Sequence, residues 1–213
     1  MKMFDPVVIA YDTASMDVGL AVRAALELFR LHVYAHFLVQ KRNAVDFFAG
    51  KIPDSEYVVL CSHGSSAEGA TANMPEEPPE KMGMGFVRLV DQINGKWEET
   101  EFALSPSNIR QYVKLAGRTV VALGCGNGRE PLAREFLKAG CRAYIGAISP
   151  PDQDATALFA IGFFYHLLSQ DRPGSLCCNE AEAVRRAAEI DKVCKEGTHI
   201  FRYYSQQEEA VVR

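Results

Sequence analysis

Short apolar runs separated by helical segments constrain this chain more than any other feature. PVVIAY at 6–11, HVYAHFLV at 32–39, EYVVLCSHG at 56–64, RTVVALGC at 118–125 and CRAYIGAI at 141–148 are brief and almost continuously apolar. Strands buried on both faces of a sheet need that pattern, because neither side meets water. Between the first two, Val18, Ala21, Val22, Ala25, Leu26 and Phe29 recur at helical spacing, with Asp17 placed to cap the helix. A short helix is expected over 43–49, and another from Pro131 to Ala139 with Gly140 as its stop. Asp152 to about Leu168 is apolar on nearly every side, which predicts a buried helix. A further helix over 179–195 precedes a last strand at 199–204, HIFRYY. Strand and helix alternating at this spacing predict an α/β fold, a parallel sheet with helices packed on it.

The alternation breaks at Ser65. Residues 65–85 are rich in Gly, Pro, Ala and Glu and lack any period, so a long mobile loop is expected there. Such a loop either gates a cleft, serves as a cleavable linker, or is an idle surface insertion. Residues 86–104 then form two extended runs around Asn94-Gly95, a hairpin signal because both residues tolerate positive φ. Ser105 before Pro106 opens a short helix to about Leu115.

With 213 residues and 48% of them apolar, the chain supports one domain, 1–213, with a proper core. A net charge of −4 is too mild and of the wrong sign for a nucleic-acid footprint. No apolar run approaches the ~20 residues that span a bilayer, and MKMFDPVVIAYD is a poor secretory signal. Six cysteines without a CxxC pair argue for free thiols in a reducing cytoplasm, not for a disulfide framework or a zinc site. His32, His36, His166 and His199 stand at no convincing metal-ligand spacing. We therefore expect neither metal nor cofactor, and partners that are neither nucleic acid nor membrane.

VVALGCGNGRE, Val120 to Glu130, allows two chemistries. A glycine-rich turn between strand and helix can cradle a nucleotide or a methyl donor, as in a SAM-dependent methyltransferase. That pattern wants acids two residues before the first glycine and at the next strand end; here Ala122 and Gly146-Ala147-Ile148 stand there. The alternative is a nucleophile. Cys125 closes an apolar strand, where a side chain becomes reachable, and His63 closes the run VVLC and precedes Gly64. In a parallel sheet both would lie on the carboxyl edge, where sites form. His63 would serve as base for Cys125. The flanking Gly64, Gly124 and Gly126 would admit a substrate backbone and leave amide N–H groups for an oxyanion. The ordinary alternatives are a small core cysteine and a plain Ser-His-Gly turn. A chelatase-like use of VVLCSHGSS finds no other support in the chain.

The succession SHG at 62–64, ALGCGNG at 122–128 and GCRAYIGAISPPDQDATALFAIGFFYHLL at 140–168 resembles the CHAT-type, caspase-like cysteine peptidases. The likeness covers about 56–64 and 104–195, including the Ala- and Arg-containing segment Ala181 to Ala187. It implies a three-layer, caspase-like α/β/α sandwich with a His63–Cys125 dyad. The backbone N–H groups of Gly64 and Cys125 would form an oxyanion hole, and a peptide or protein would be cleaved through a thioester. Asp152 and Asp154, after the next strand, would line the substrate pocket, or else act as helix-terminal charges. Relatives usually carry Ala or Ser before the cysteine; here Gly124 stands there, which loosens the turn. Leu123 replaces the acid that several relatives use to bind a basic side chain, so basic specificity is not implied. Members often work with repeat domains or partner chains, so an activating partner protein is a further expectation. A catalytically inactive caspase-like interaction module is the principal alternative.

Overall fold

Each of the central apolar runs becomes a strand with no exposed face. The structure is a computed structural model that describes residues 6–64, 83–168, 179–190 and 200–206. In chain order it contains β1 (Val7–Tyr11), α1 (Met16–Leu28), β2 (Val33–Phe37), α2 (Lys41–Phe48), β3 (Tyr57–Cys61) and β4 (His63–Gly64). The hairpin β5 (Met84–Ile93) and β6 (Lys96–Leu104) follows, then α3 (Pro106–Tyr112), β7 (Thr119–Ala122), α4 (Glu130–Lys138) and β8 (Ala143–Ala147). α5 (Gln153–Leu168), α6 (Glu180–Ala187) with a terminal 3₁₀ turn, and β9 (Phe201–Ser205) complete the order.

Six strands form one sheet in the order β2-β1-β3-β7-β8-β9, and all pairs are parallel except β8 with β9. β1, β3, β7 and β8 are buried throughout, whereas the outer β2 and β9 are only partly so. Alternation along the strands divides the core. Val7, Ile9, Val59, Val121 and Ile145 pack on one face with α1, α5 and α6. Val8, Ala10, Val58, Leu60 and Val120 pack on the other with α2, α3, α4 and the hairpin. Period-two side-chain alternation in doubly buried strands produces this division. The result is an α/β fold compatible with three layers. Burial of large side chains such as Phe47, Phe48, Phe136, Phe159 and Phe163 stabilises it by roughly 1.5–3 kcal/mol each.

The hairpin turns where the sequence predicts. Asn94 and Gly95 have φ of 52° and 79°, the two positive values of the type I′ turn that matches strand twist. α3 opens with Pro106 at its first turn, and the Ser105 and Asn108 side chains satisfy each other's backbone N–H groups.

Several boundaries differ from expectation. Met84 and Gly85, expected in the loop, are strand residues; 65–82 lies outside the described residues. Ser15, not Asp17, is the cap of α1, and Asp17 sits in its first turn. The reason is that Asp12 already ties the chain back there, its Oδ1 accepting the Ser15 N–H at 2.8 Å. The third run splits: His63 and Gly64 leave the main sheet and pair antiparallel with Gly85 and Met84. β7 stops at Ala122, because the glycine-rich residues beyond it turn away, Gly126 at φ 67°. The last helix is described only to Ile190.

The amino edge of the sheet is closed by its own charges. Arg142 pairs with Glu56 and Glu180, each at 2.7 Å, and lies over the Tyr57 ring. Among the described residues no helix is long and apolar enough to cross a membrane.

Candidate functional site

Three adjacent strands deliver polar residues to the opposite, carboxyl edge. Asp12 follows β1, Ser62-His63-Gly64 follows β3, and Leu123-Gly124-Cys125 follows β7. The chain builds outward from β1 to β2, then crosses to β3 and on to β7 and β8. The order therefore reverses between β1 and β3, the kind of point where open α/β sheets bind ligands. Asp12 and His63 flank that reversal.

The two loops that carry His63 and Cys125 are pressed together. A Cβ added to Gly64 would fall 2.5 Å from the Cys125 carbonyl carbon and nearer still to its oxygen. A Cβ on Gly124 would fall 2.6 Å from the Ser62 carbonyl oxygen and into the Asn127 amide. The glycines are thus required by close backbone approach. Gly124 does not loosen the turn; it lets the turn pack tightly, and it is itself buried. Gly126 is half-exposed at positive φ, 3.3 Å from Arg129 Nε if given a Cβ. Cys125 is partly exposed, whereas Cys61 and Cys141 are buried, and burial pushes both of those thiols up to about 12. A buried thiol of that kind is inert, because the thiolate is the reactive form.

Asp12 is the residue that sequence reasoning missed. Its side chain is wholly buried, and its Oδ1 lies 3.6 Å from His63 Nε2. That distance is too long for a hydrogen bond and makes an ion pair only when the imidazole is protonated. Both carboxylate oxygens are otherwise engaged: Oδ1 accepts the Ser15 N–H at 2.8 Å, and Oδ2 accepts the Val87 N–H at 2.7 Å. Burial alone would raise this carboxyl, but His63, the Val87 amide and Ser15 outweigh it and hold Asp12 below the usual carboxylate range. An anion is thereby fixed beside the imidazole, while 39% of the His63 side chain remains exposed. One edge of the ring faces charge and part of it stays open. Asp12 could have been found by asking which polar residue ends each apolar run, since VVIAY is followed at once by Asp12.

Asn127 is a second missed residue. It is wholly buried between the loops, and its Nδ2 donates to Ser62 Oγ at 3.0 Å. Leu123 points into the core and is 5% exposed, so it lines no pocket. Asp152 and Asp154 are exposed at the start of α5, and the Asp152 carbonyl accepts the Thr156 N–H and hydroxyl, both at 3.0 Å. Both are bonds to the Asp152 main chain, in the first turn of the helix. Among the described residues, no group of three or more metal-ligating side chains could hold an ion.

The chain matches no protein-family model, and no curated protein matches it closely enough to count as a relative.

Proposed function

We propose that the protein is a caspase-like, CHAT-type cysteine hydrolase acting on a peptide or protein. The observation that carries this is that Asp12, His63 and Cys125 follow three adjacent parallel strands onto one sheet edge, with Asp12 3.6 Å from His63 and the Gly64 and Cys125 backbones in close approach. Buried Asp12 sets a negative charge 3.6 Å from His63 Nε2, which stabilises the imidazolium formed when Nδ1 takes a proton. His63 takes the Cys125 proton, and the thiolate sulfur attacks the scissile carbonyl carbon. The backbone N–H groups of Gly64 and Cys125 stabilise the tetrahedral oxyanion. His63 returns the proton to the leaving amine as the C–N bond breaks. Water, deprotonated by His63, then opens the thioester and releases the acid. Gly126, partly exposed beside the cysteine, borders the path of the substrate backbone, and Asp152 and Asp154 supply negative charge further along this edge.

The methyltransferase alternative is weakened by the same packing. On the side where a Cβ would stand, Gly124 meets the Ser62 carbonyl and the Asn127 amide rather than open space for a phosphate or a methyl donor.

Limiting iodoacetamide across pH 5.5–7.5, with adducts located by mass spectrometry, tests the dyad. Preferential labelling of Cys125 below pH 7, abolished in His63→Ala, is the expected result. An inert Cys125 in the folded protein leaves the interaction-module alternative in its place.

A further inference from the structure

We infer that Asn127 is the positioning residue that holds His63 against Cys125; this rests on the cysteine–histidine function proposed above. Strand pairing cannot set that geometry. The ladder between β3 and β7 ends with Leu60 opposite Ala122, followed by one bond from the Leu123 N–H to the Leu60 carbonyl at 2.8 Å. Beyond it His63 departs into the small antiparallel sheet and Cys125 into the glycine turn. The two reactive residues therefore lie beyond the ladder, on loops that touch at Gly64 and Gly124.

Asn127 links the two loops by hydrogen bonds. Its Nδ2 donates to Ser62 Oγ at 3.0 Å, one residue before His63. Its own N–H donates to the Gly124 carbonyl at 3.3 Å, one residue before Cys125. Its carbonyl accepts the Tyr144 hydroxyl at 2.8 Å, which anchors it to β8. One buried residue thus ties the base loop, the nucleophile turn and a core strand together. The remaining polar atom, Oδ1, is buried with no hydrogen-bond partner, and a Cβ on Gly64 would lie 3.2 Å from it. A buried acceptor left unpaired is unfavourable, and a packing role alone would be served by leucine. Keeping an amide there follows from the need for its donor at Ser62.

The test compares pH profiles of Cys125 alkylation by iodoacetamide in wild type, Asn127→Ala, Ser62→Ala, the double variant and His63→Ala. Thermal unfolding is followed alongside. Loss of positioning raises the apparent Cys125 pKa, and one unit lowers thiolate labelling at pH 6 about tenfold. We expect that shift in Asn127→Ala and in Ser62→Ala, with the double variant no worse than either, since both delete one bond. If Asn127→Ala does not fold, Ser62→Ala carries the test alone. A shift in His63→Ala but none in the folded Asn127 and Ser62 variants overturns the positioning role and leaves the dyad standing. No shift in His63→Ala overturns the dyad, and the inference falls with it.

Discussion

Replacing Gly64 with alanine measures how tightly the two site loops meet. The new Cβ would sit 2.5 Å from the Cys125 carbonyl carbon, where real Cβ contacts essentially never come under 3.0 Å. The seam must open by more than 0.5 Å at that carbon, and further at the nearer oxygen. Both sides are backbone, held by β3–β4 and by the β7 turn, so no flexible side chain can yield. Overpacking costs about 1–3 kcal/mol in ordinary cores, and a backbone-to-backbone clash belongs at about 3 kcal/mol. For a chain of this length that lowers the melting temperature by roughly 6–12 °C. Gly85→Ala is the control. Gly85 pairs with His63 in the same small sheet, yet its Cβ would meet the Phe102 carbonyl oxygen at 3.4 Å and the Ala103 Cα at 4.0 Å, both ordinary contacts. That variant should stay within about 1 kcal/mol of wild type. Circular-dichroism melts of the three proteins decide the matter, with Cys125 labelling below pH 7 lost in Gly64→Ala only. Equal melting temperatures for the two glycine variants would refute the tight seam and the site geometry built on it.

Three other outcomes follow from the same contacts. Asp12 is held below the ordinary carboxylate value of about 4, so its contribution is complete above that value and is lost as pH falls through the lower folded one. Wild-type melting temperature should therefore drop more steeply between pH 5 and pH 2 than that of Asp12→Asn, which at pH 7 is itself destabilised by about 2 kcal/mol; parallel acid titrations would contradict this. Cys61 and Cys141, both raised to about 12, should stay unmodified by excess iodoacetamide at pH 7.5 until urea unfolds the chain, and an adduct on either in the native protein is the adverse result. Tyr144→Phe removes the donor to the buried Asn127 carbonyl; unfolding in urea should register about 1–3 kcal/mol, and a silent substitution would mean that the bond is not formed.

Sequence alone determined the local elements. Apolar runs without alternation mark β1, β3, β7 and β8, because a strand covered on both faces has no polar side to display. Asn94-Gly95 dictates its turn through backbone freedom, and Ser105-Pro106 dictates the start of α3 through capping. The same signals put His63 and Cys125 at strand ends. Only tertiary structure decided which ends are neighbours. The order β2-β1-β3-β7-β8-β9 depends on how the strands pair across the sheet, and side-chain period is blind to pairing partners. That order brings Asp12 beside His63, across 51 residues of chain that carry no shared pattern. It also takes His63 and Gly64 out of the main sheet, since their hydrogen bonds go to Met84 and Gly85. The glycines at 64 and 124 are visible as letters, but the reason for them is a backbone on another strand. Close approach is a property of two segments at once, and no single segment of sequence encodes it.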